Sequence, residues 1–332
     1  MVWYEEGAIM EFFSQDKIYD FMKVSRFFII TTLTIAVLSL GLFFTKGLSY
    51  GIDFSGGTIV QLKYDAKAPI DQIREHVSKD KMFAGALITE FGSPEEIQIR
   101  FGETSEGVSE DVGDKVRALL KGTGNFEVRK VDIVGPKVGG ELRQKGLMAA
   151  LFSMIGILIY VAFRFEWSFA LAAIISLAHD VAITIGALII FKVEMSLDVL
   201  AAILTLIGYS INDTIIIYDR IREELRDSKE TDFATIINMS VSKTLSRTVL
   251  TVLTVFFVVL TLYLFGGEII HGFSFTMLFG VVVGVYSSVF ISAPFLTVLG
   301  FNVAGYKAKA ALREKNKIEK QKMRSMYEKG TV

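Results

Sequence analysis

Apolar residues in this chain come in long blocks rather than in short alternating runs. A membrane-crossing helix needs roughly 20 mostly apolar residues to span about 30 Å of hydrocarbon. Six stretches meet or approach that length: 27–44, 146–163, 168–191, 197–218, 248–265 and 273–299. The polar gaps among the last five are brief, at 164–167, 192–196, 219–247 and 266–272. Only the gap from 45 to 145 is long enough to hold a folded domain.

Inside that gap the period changes. Residues 58–64 (TIVQLKY) alternate and carry β-branched side chains, which predicts a strand. Pro69 opens a helical segment reaching about residue 80, as proline does at a first helical position. Strands are expected at 86–91 and 95–101, joined by a turn at 92–94. Residues 108–121 have helical spacing through Val112, Val116, Leu119 and Leu120, and 125–134 is again strand-like. The order βαββαβ is the ferredoxin-like split arrangement. The expected fold class is an α-helical polytopic membrane protein, a six-helix transmembrane bundle with a ferredoxin-like outer domain. Its segments are 1–26, a first span at 27–44, the α+β domain at 45–145, spans two to six within 146–302, and a tail at 303–332.

Charge fixes the expected orientation. Lys17, Lys23 and Arg26 precede the first span, six Lys and Arg residues from Arg220 to Arg247 lie between the fourth and fifth, and the tail is strongly basic. With six spans all three segments fall on one side, and short loops rich in Lys and Arg stay in the cytoplasm. Both termini are therefore expected in the cytoplasm of an inner-membrane protein, with 45–145 in the periplasm. The tail reads as an anchor on anionic lipid, with a ribosome or partner contact as the other reading. The first span is expected to be retained and to serve as its own targeting signal rather than to follow a cleavable one, with Met1 or Met10 as the expected start.

The composition, 52% hydrophobic with a mean hydropathy of +0.47, belongs to a membrane protein, while a net charge of −1 says little because the charges are segregated. There is no cysteine, which excludes disulfides and thiol chemistry. No phosphate loop, zinc motif, nucleophile elbow or dinucleotide fingerprint occurs, so no cofactor, metal, nucleic-acid partner or enzyme activity is expected. Chemistry is sought instead in ionisable residues within the spans, which cost roughly 2.5–3.5 kcal/mol at a bilayer centre and usually face the bundle interior.

Asp213, in the fourth span, is the foremost of these, with Tyr209 four positions back on its face and Ser210 close to it. It reads as a proton carrier or as a structural hydrogen bond between spans. His179 and Asp180 sit mid-way along the third span. Neighbours on a helix point about 100° apart, so they are not expected to meet one partner; one would face the fourth span, the other a neighbouring subunit. They form either a proton-relay pair or packing contacts. Arg247, opening the fifth span, either reaches inward to Asp213 or extends to the headgroups. Gly280 and Gly284 have a close-packing spacing that suits contact within one bundle, or against a second membrane subunit.

These residues carry a resemblance. Gly51-Ile52-Asp53-Phe54-Ser55-Gly56-Gly57 resembles the GIDFxGG signature of the SecD/SecF family, part of the RND superfamily. The segment from Val134 to Leu142, His179-Asp180-Val181, the block 208–223 (GYSINDTIIIYDRIRE, with Asn212 and Asp213), 244–248 (TLSRT) and 284–288 (GVYSS) resemble it too, from about residue 10 to 303. The GYSxND block in a six-span chain favours the SecF branch. That resemblance implies half of an RND-type transporter, paired with SecD and associated with the SecYEG channel, with YajC as a further candidate partner. It implies use of the proton-motive force, or of Na⁺, to promote late steps in translocating unfolded polypeptide. It places the family's intramembrane acid on Asp213 and its functional arginine on Arg247, with part of the ion pathway left to SecD. Two departures are residues 1–9, which precede the usual start, and Val285, where the family often has threonine. A passive scaffold and a half-size exporter of small molecules are the competing readings; an outer domain of about one hundred residues is small for an exporter's substrate funnel.

Overall fold

A computed structural model gives the fold of residues 17–83, 85–102 and 112–328. Met1, Met10 and the first part of the helix expected from 108 lie outside the described residues. The chain opens with helix α1 (Phe21–Lys46), the single turn α2 (Ile52–Ser55) and strand β1 (Gly57–Tyr64), followed by α3 (Ile70–Ser78), β2 (Leu87–Phe91), β3 (Ser93–Phe101), α4 (Val112–Leu119) and β4 (Phe126–Val134). Then come α5 (Pro136–Arg164), α6 (Trp167–Ile190), α7 (Leu197–Asp227), α8 (Phe233–Phe265), α9 (His271–Ser287), α10 (Ala293–Val298) and α11 (Val303–Glu328).

Six helical segments are long and apolar enough to cross a membrane, the last running from Glu268 to Val298. Several outrun their apolar windows because polarity does not end a helix; only lost backbone bonding does. Thus α1 begins at Phe21, where the Asp20 carboxylate accepts from Lys23 N at 3.1 Å. Helix α8 begins at Phe233, capped by Asp232, which accepts from Thr235 N at 2.9 Å and from its hydroxyl at 2.7 Å. Those two bonds hold the Asp232 carboxyl below the usual carboxylate range. Helix α5 begins ten residues before its apolar stretch, with Pro136 in its first turn. The sixth span is not one continuous α-helix: a π-helical turn, Ser288–Ser292, separates α9 from α10 just ahead of Pro294. Proline lacks the amide that a regular turn would use, so a break in helical register is expected there.

Burial sorts the spans into two shells. Within the most apolar window of each, 61% of α6, 50% of α7 and 56% of the sixth span are buried, against 17% of α1 and 11% of both α5 and α8. The first three form the bundle's centre, and the others present most of their surface to lipid or a partner. The large apolar cluster that includes Phe169, Leu177, Ile203, Ile207, Tyr218 and Ile237 packs this centre.

The α+β domain is a four-stranded antiparallel sheet in the order β2-β3-β1-β4, the ferredoxin-like topology the alternation predicts. Gly92, at φ +78°, makes the tight turn between β2 and β3, so β3 begins at Ser93, earlier than expected. Alternation puts Val60 and Leu62 of β1 beside Ile97 and Ile99 of β3, on the face that shares a core with Ile73, Val116 and Leu120 of the helical segments. Tyr64 donates to or accepts from Thr123 at 2.9 Å beneath this core, and burial pushes its phenol pKa up. Leu62 is 1% exposed. Leu62→Ala is therefore expected to cost the domain about 2–5 kcal/mol. Hydrogen exchange of the full chain would register this as faster exchange at β1 and β3 amides, with the spans unchanged.

Candidate functional site

Four helices meet around Asp180. Ser210 on α7 donates to Asp180 Oδ2 at 2.6 Å, and Ser287 at the end of α9 donates to the same oxygen at 2.8 Å. The ring Nδ1 of His179 lies 3.0 Å from Asp180 Oδ1. The ring's other nitrogen, Nε2, lies 2.5 Å from the Thr32 hydroxyl of α1, so the imidazole bridges α1 to Asp180. The two residues do not share one interhelical partner: Asp180 faces α7 and α9 and His179 faces Thr32 of α1, while their two side chains also meet each other. The imidazole is long enough to fold back over the 100° between adjacent positions. Neither residue faces a neighbouring subunit, for they are 4% and 1% exposed within this chain alone. Ser210, grouped by spacing with Asp213, turns to Asp180 instead.

A line of hydroxyl pairs continues along the contact between α7 and the sixth span. Thr214 lies 3.1 Å from Ser288, and Ser292 donates to Tyr218 at 2.6 Å. Ser210, Thr214 and Tyr218 recur every four residues and so form one ridge of α7. The glycines expected to pack closely do so inside the bundle: a β-carbon at Gly284 would lie 3.2 Å from Ser210 Cβ, and one at Gly280 would strike Leu206. Sequence reasoning passes over Thr32, Ser287, Thr214 and Ser292, because isolated hydroxyl residues are common in membrane helices. The four-residue recurrence on α7 is the signal that could have found them.

Asp213 lies on another ridge of α7 and differs in its bonding. It is 2% exposed, yet its Oδ1 is buried without a hydrogen-bond partner. Arg247 and Tyr209 lie within electrostatic reach of it. Arg247 itself is exposed, and no ion pair of 4 Å or less joins it to Asp213 among the described residues. Arg247 lines a cavity of about 620 Å³ with Ile216, Asp219, Arg220, Lys243 and Thr244, at the α7–α8 end remote from the α+β domain. Ser246 Oγ, Thr248 Oγ1 and Arg220 Nε are also buried without partners. Asn212 lies on the exposed surface of α7.

The Gly51–Gly57 segment lies at the opposite end of the bundle, beneath the α+β domain. Ile52 to Ser55 form the one-turn α2, which hydrophobic periodicity does not predict. Gly56 and Gly57 turn the chain into β1 at φ +74° and +130°, where a β-carbon would lie 2.8 Å from Pro136 Cα and 2.9 Å from Phe101 O respectively. No group of three or more His, Cys, Asp or Glu residues able to hold a metal occurs among the described residues.

A six-helix bundle with carboxylates buried between its central helices, bearing a ferredoxin-like domain at one end, defines a multi-pass membrane protein of RND-like fold. The family model for the SecD/SecF protein export membrane protein C-terminal region matches residues 115–302, and the SecD/SecF GG motif matches 41–68. The chain is 48% identical over 323 residues to the protein translocase subunit SecF of Helicobacter pylori strain J99, covering 97% of this chain and 100% of that one. It is 45% identical over 292 residues to the SecF subunit of Calditerrivibrio nitroreducens, covering 86% and 96%. The crystal structure of SecDF from Thermus thermophilus, a translocon-associated membrane protein, superposes with a TM-score of 0.78 at 34% identity over 86% of this chain. This chain spans 39% of that SecDF chain. The chain belongs to the SecD/SecF family of protein export membrane proteins.

Proposed function

We propose that this chain is an accessory subunit of the Sec protein-export machinery that works with SecD and uses the proton-motive force to promote late steps of translocation. The observation that carries the reading is the contrast between the two buried carboxylates. Asp180 is saturated by His179, Ser210 and Ser287, which suits a structural tie. Asp213 keeps an oxygen with no hydrogen-bond donor while a guanidinium stands within electrostatic reach, which suits a group that takes up and releases a proton. The cavity beside Arg247 provides a water route to the cytoplasmic side, and the rest of the ion path belongs to SecD. Protonation of Asp213 removes its attraction for Arg247, shifts α7 against α8, and moves the α+β domain between two positions.

In this reading both termini lie in the cytoplasm, the α+β domain lies in the periplasm, and the chain sits in the cell inner membrane beside the SecYEG channel, with YajC as a further partner. The Lys and Arg residues from Arg220 to Arg247, most of them on the adjoining ends of α7 and α8, and the basic helix α11 support that orientation. The relatives are translocase subunits by name, which is not an enzymatic role.

The reading is tested by supplying this chain and its SecD to cells depleted of their own SecDF and following release of an exported protein. Export is expected to recover, and the gain is expected to vanish when a protonophore collapses the gradient while ATP is held constant. A gain that survives the protonophore would establish the passive scaffold instead.

A further inference from the structure

We propose that the Gly51–Gly57 segment is the mechanical joint between the membrane bundle and the α+β domain, with Asp53 as its positioning residue. The inference rests on the proton-coupled reading of Asp213, because it names the part that carries motion from that helix to the domain.

The joint has three attachments. The first is to α7 itself: Asp53 Oδ2 accepts from the backbone N–H of Leu197 at 2.9 Å, and Leu197 is the first residue of α7. Amides in a helix's first turn have no intrahelical acceptor, and a negative charge there is favoured by the helix dipole. Ser196 satisfies Val199 N at 3.2 Å, as a local cap does, but the acceptor for Leu197 comes from a segment 144 residues away. The second attachment is to the loop between α6 and α7 (residues 191–196): Gly51 N donates to Met195 O at 2.8 Å, and Met195 N donates to Ser49 O at 2.7 Å. A β-carbon at Gly51 would lie 3.3 Å from Met195 O.

The third attachment is to the domain. The segment runs into β1 at Gly57, and its turn is wedged between Phe101 at the end of β3 and the start of α5, where a β-carbon at Gly139 would lie 2.9 Å from Gly56 N. A second strut stands alongside it. Arg100 of β3 makes a two-pronged pair with Glu194 of the same loop, the Nη1–Oε1 arm being 2.7 Å.

Asp213 is carried on α7, sixteen residues beyond Leu197, roughly 24 Å along the axis at about 1.5 Å per residue. A continuous helix moves as a rod over that distance, so a shift begun at Asp213 reaches Leu197. Asp53 then delivers it to β1, and Arg100–Glu194 delivers it to β3. The motif's glycines permit this contact because no side chain separates the three backbones.

The test uses the full chain with SecD, and the absence of native cysteine allows a spin-label pair at Gln72→Cys in the domain and Phe265→Cys at the end of α8, both exposed. Distances are measured with native Asp213 and with Asp213→Asn, each in three backgrounds at position 53. With Asp53 native, the two states are expected to differ. With Asp53→Asn the difference is expected to persist, because the amide oxygen still accepts from Leu197 N–H. With Asp53→Ala it is expected to shrink, the Gly51–Met195 bonds and the Arg100–Glu194 pair still carrying part of it, and export is expected to fall roughly fivefold or more, the lower end of coupling between linked sites. Asp53→Asn separates this loss from misfolding. A difference that persists unchanged in Asp53→Ala overturns the joint and leaves the proton reading standing. No difference with Asp53 native removes the proton-coupled motion, and the joint falls with it.

Discussion

Asparagine in place of Asp213 is expected to bring export down to the level of SecDF-depleted cells, a loss of at least about tenfold, with unchanged membrane levels of the chain. The two side chains have the same shape, and Asp213 Oδ1 accepts no hydrogen bond, so the substitution breaks none at that atom. An amide is cheaper than a carboxylate to hold at this depth. Stability should therefore stay level or rise, which separates this variant from ordinary packing mutants. What asparagine cannot do is change charge, so Arg247 meets a permanently neutral neighbour. Release of an exported protein, with the variant and the native chain matched by immunoblot, decides the matter. Export equal to that of the native chain would make Asp213 a structural residue and return the reading to a scaffold.

The spans and the outer domain were legible for different reasons. An uninterrupted apolar block of membrane length is too long for most buried helices of a soluble domain, so it points to a bilayer. The β-branched alternation in 58–64, with a glycine turn at Gly92, leaves little choice of strand order. Helix ends were less visible, since Asp20 and Asp232 start α1 and α8 in polar sequence where hydropathy gives no signal. Asp213 and Arg247 stand out as charges at span positions, but their spacing along the chain does not give their distance in space. They lie on different helices, and no ion pair joins them at 4 Å or less. A helical wheel separates the directions of His179 and Asp180 but does not say which helix lies opposite each, so the contact of His179 with Thr32 of α1 cannot be read from the sequence. Asp53 was legible only as part of a motif. Its partner is a backbone amide of Leu197, and a backbone group leaves no mark in the sequence.

Asp180→Ala is expected to destabilise the bundle rather than to disable it while folded. The substitution removes three hydrogen bonds at a site 1% exposed and strands two donors, His179 Nδ1 and Ser210 Oγ, while Ser287 Oγ keeps the Gly284 carbonyl at 3.0 Å. A buried donor left without a partner in a soluble protein costs about 1–3 kcal/mol. Interhelical hydrogen bonds in membranes average only about 0.6 kcal/mol, because the unfolded chain in lipid also finds partners. The lower figure governs here, and three such bonds with the small cavity left by alanine come to roughly 2–3 kcal/mol. The thermal midpoint of the purified SecD complex should fall by on the order of 5 °C. Asp180→Asn should recover most of that fall. Its oxygen, placed where Oδ2 stands, accepts from both serines, and its amide, placed where Oδ1 stands, donates to His179 Nδ1 once the ring takes its other tautomer. This is the reverse of Asp213, where asparagine is expected to be harmless to stability and fatal to export. If Asp180→Asn instead left the midpoint unchanged and abolished export, Asp180 would join Asp213 on the proton path. The α1–α6–α7–α9 junction would then be part of the conduit rather than the frame that holds it.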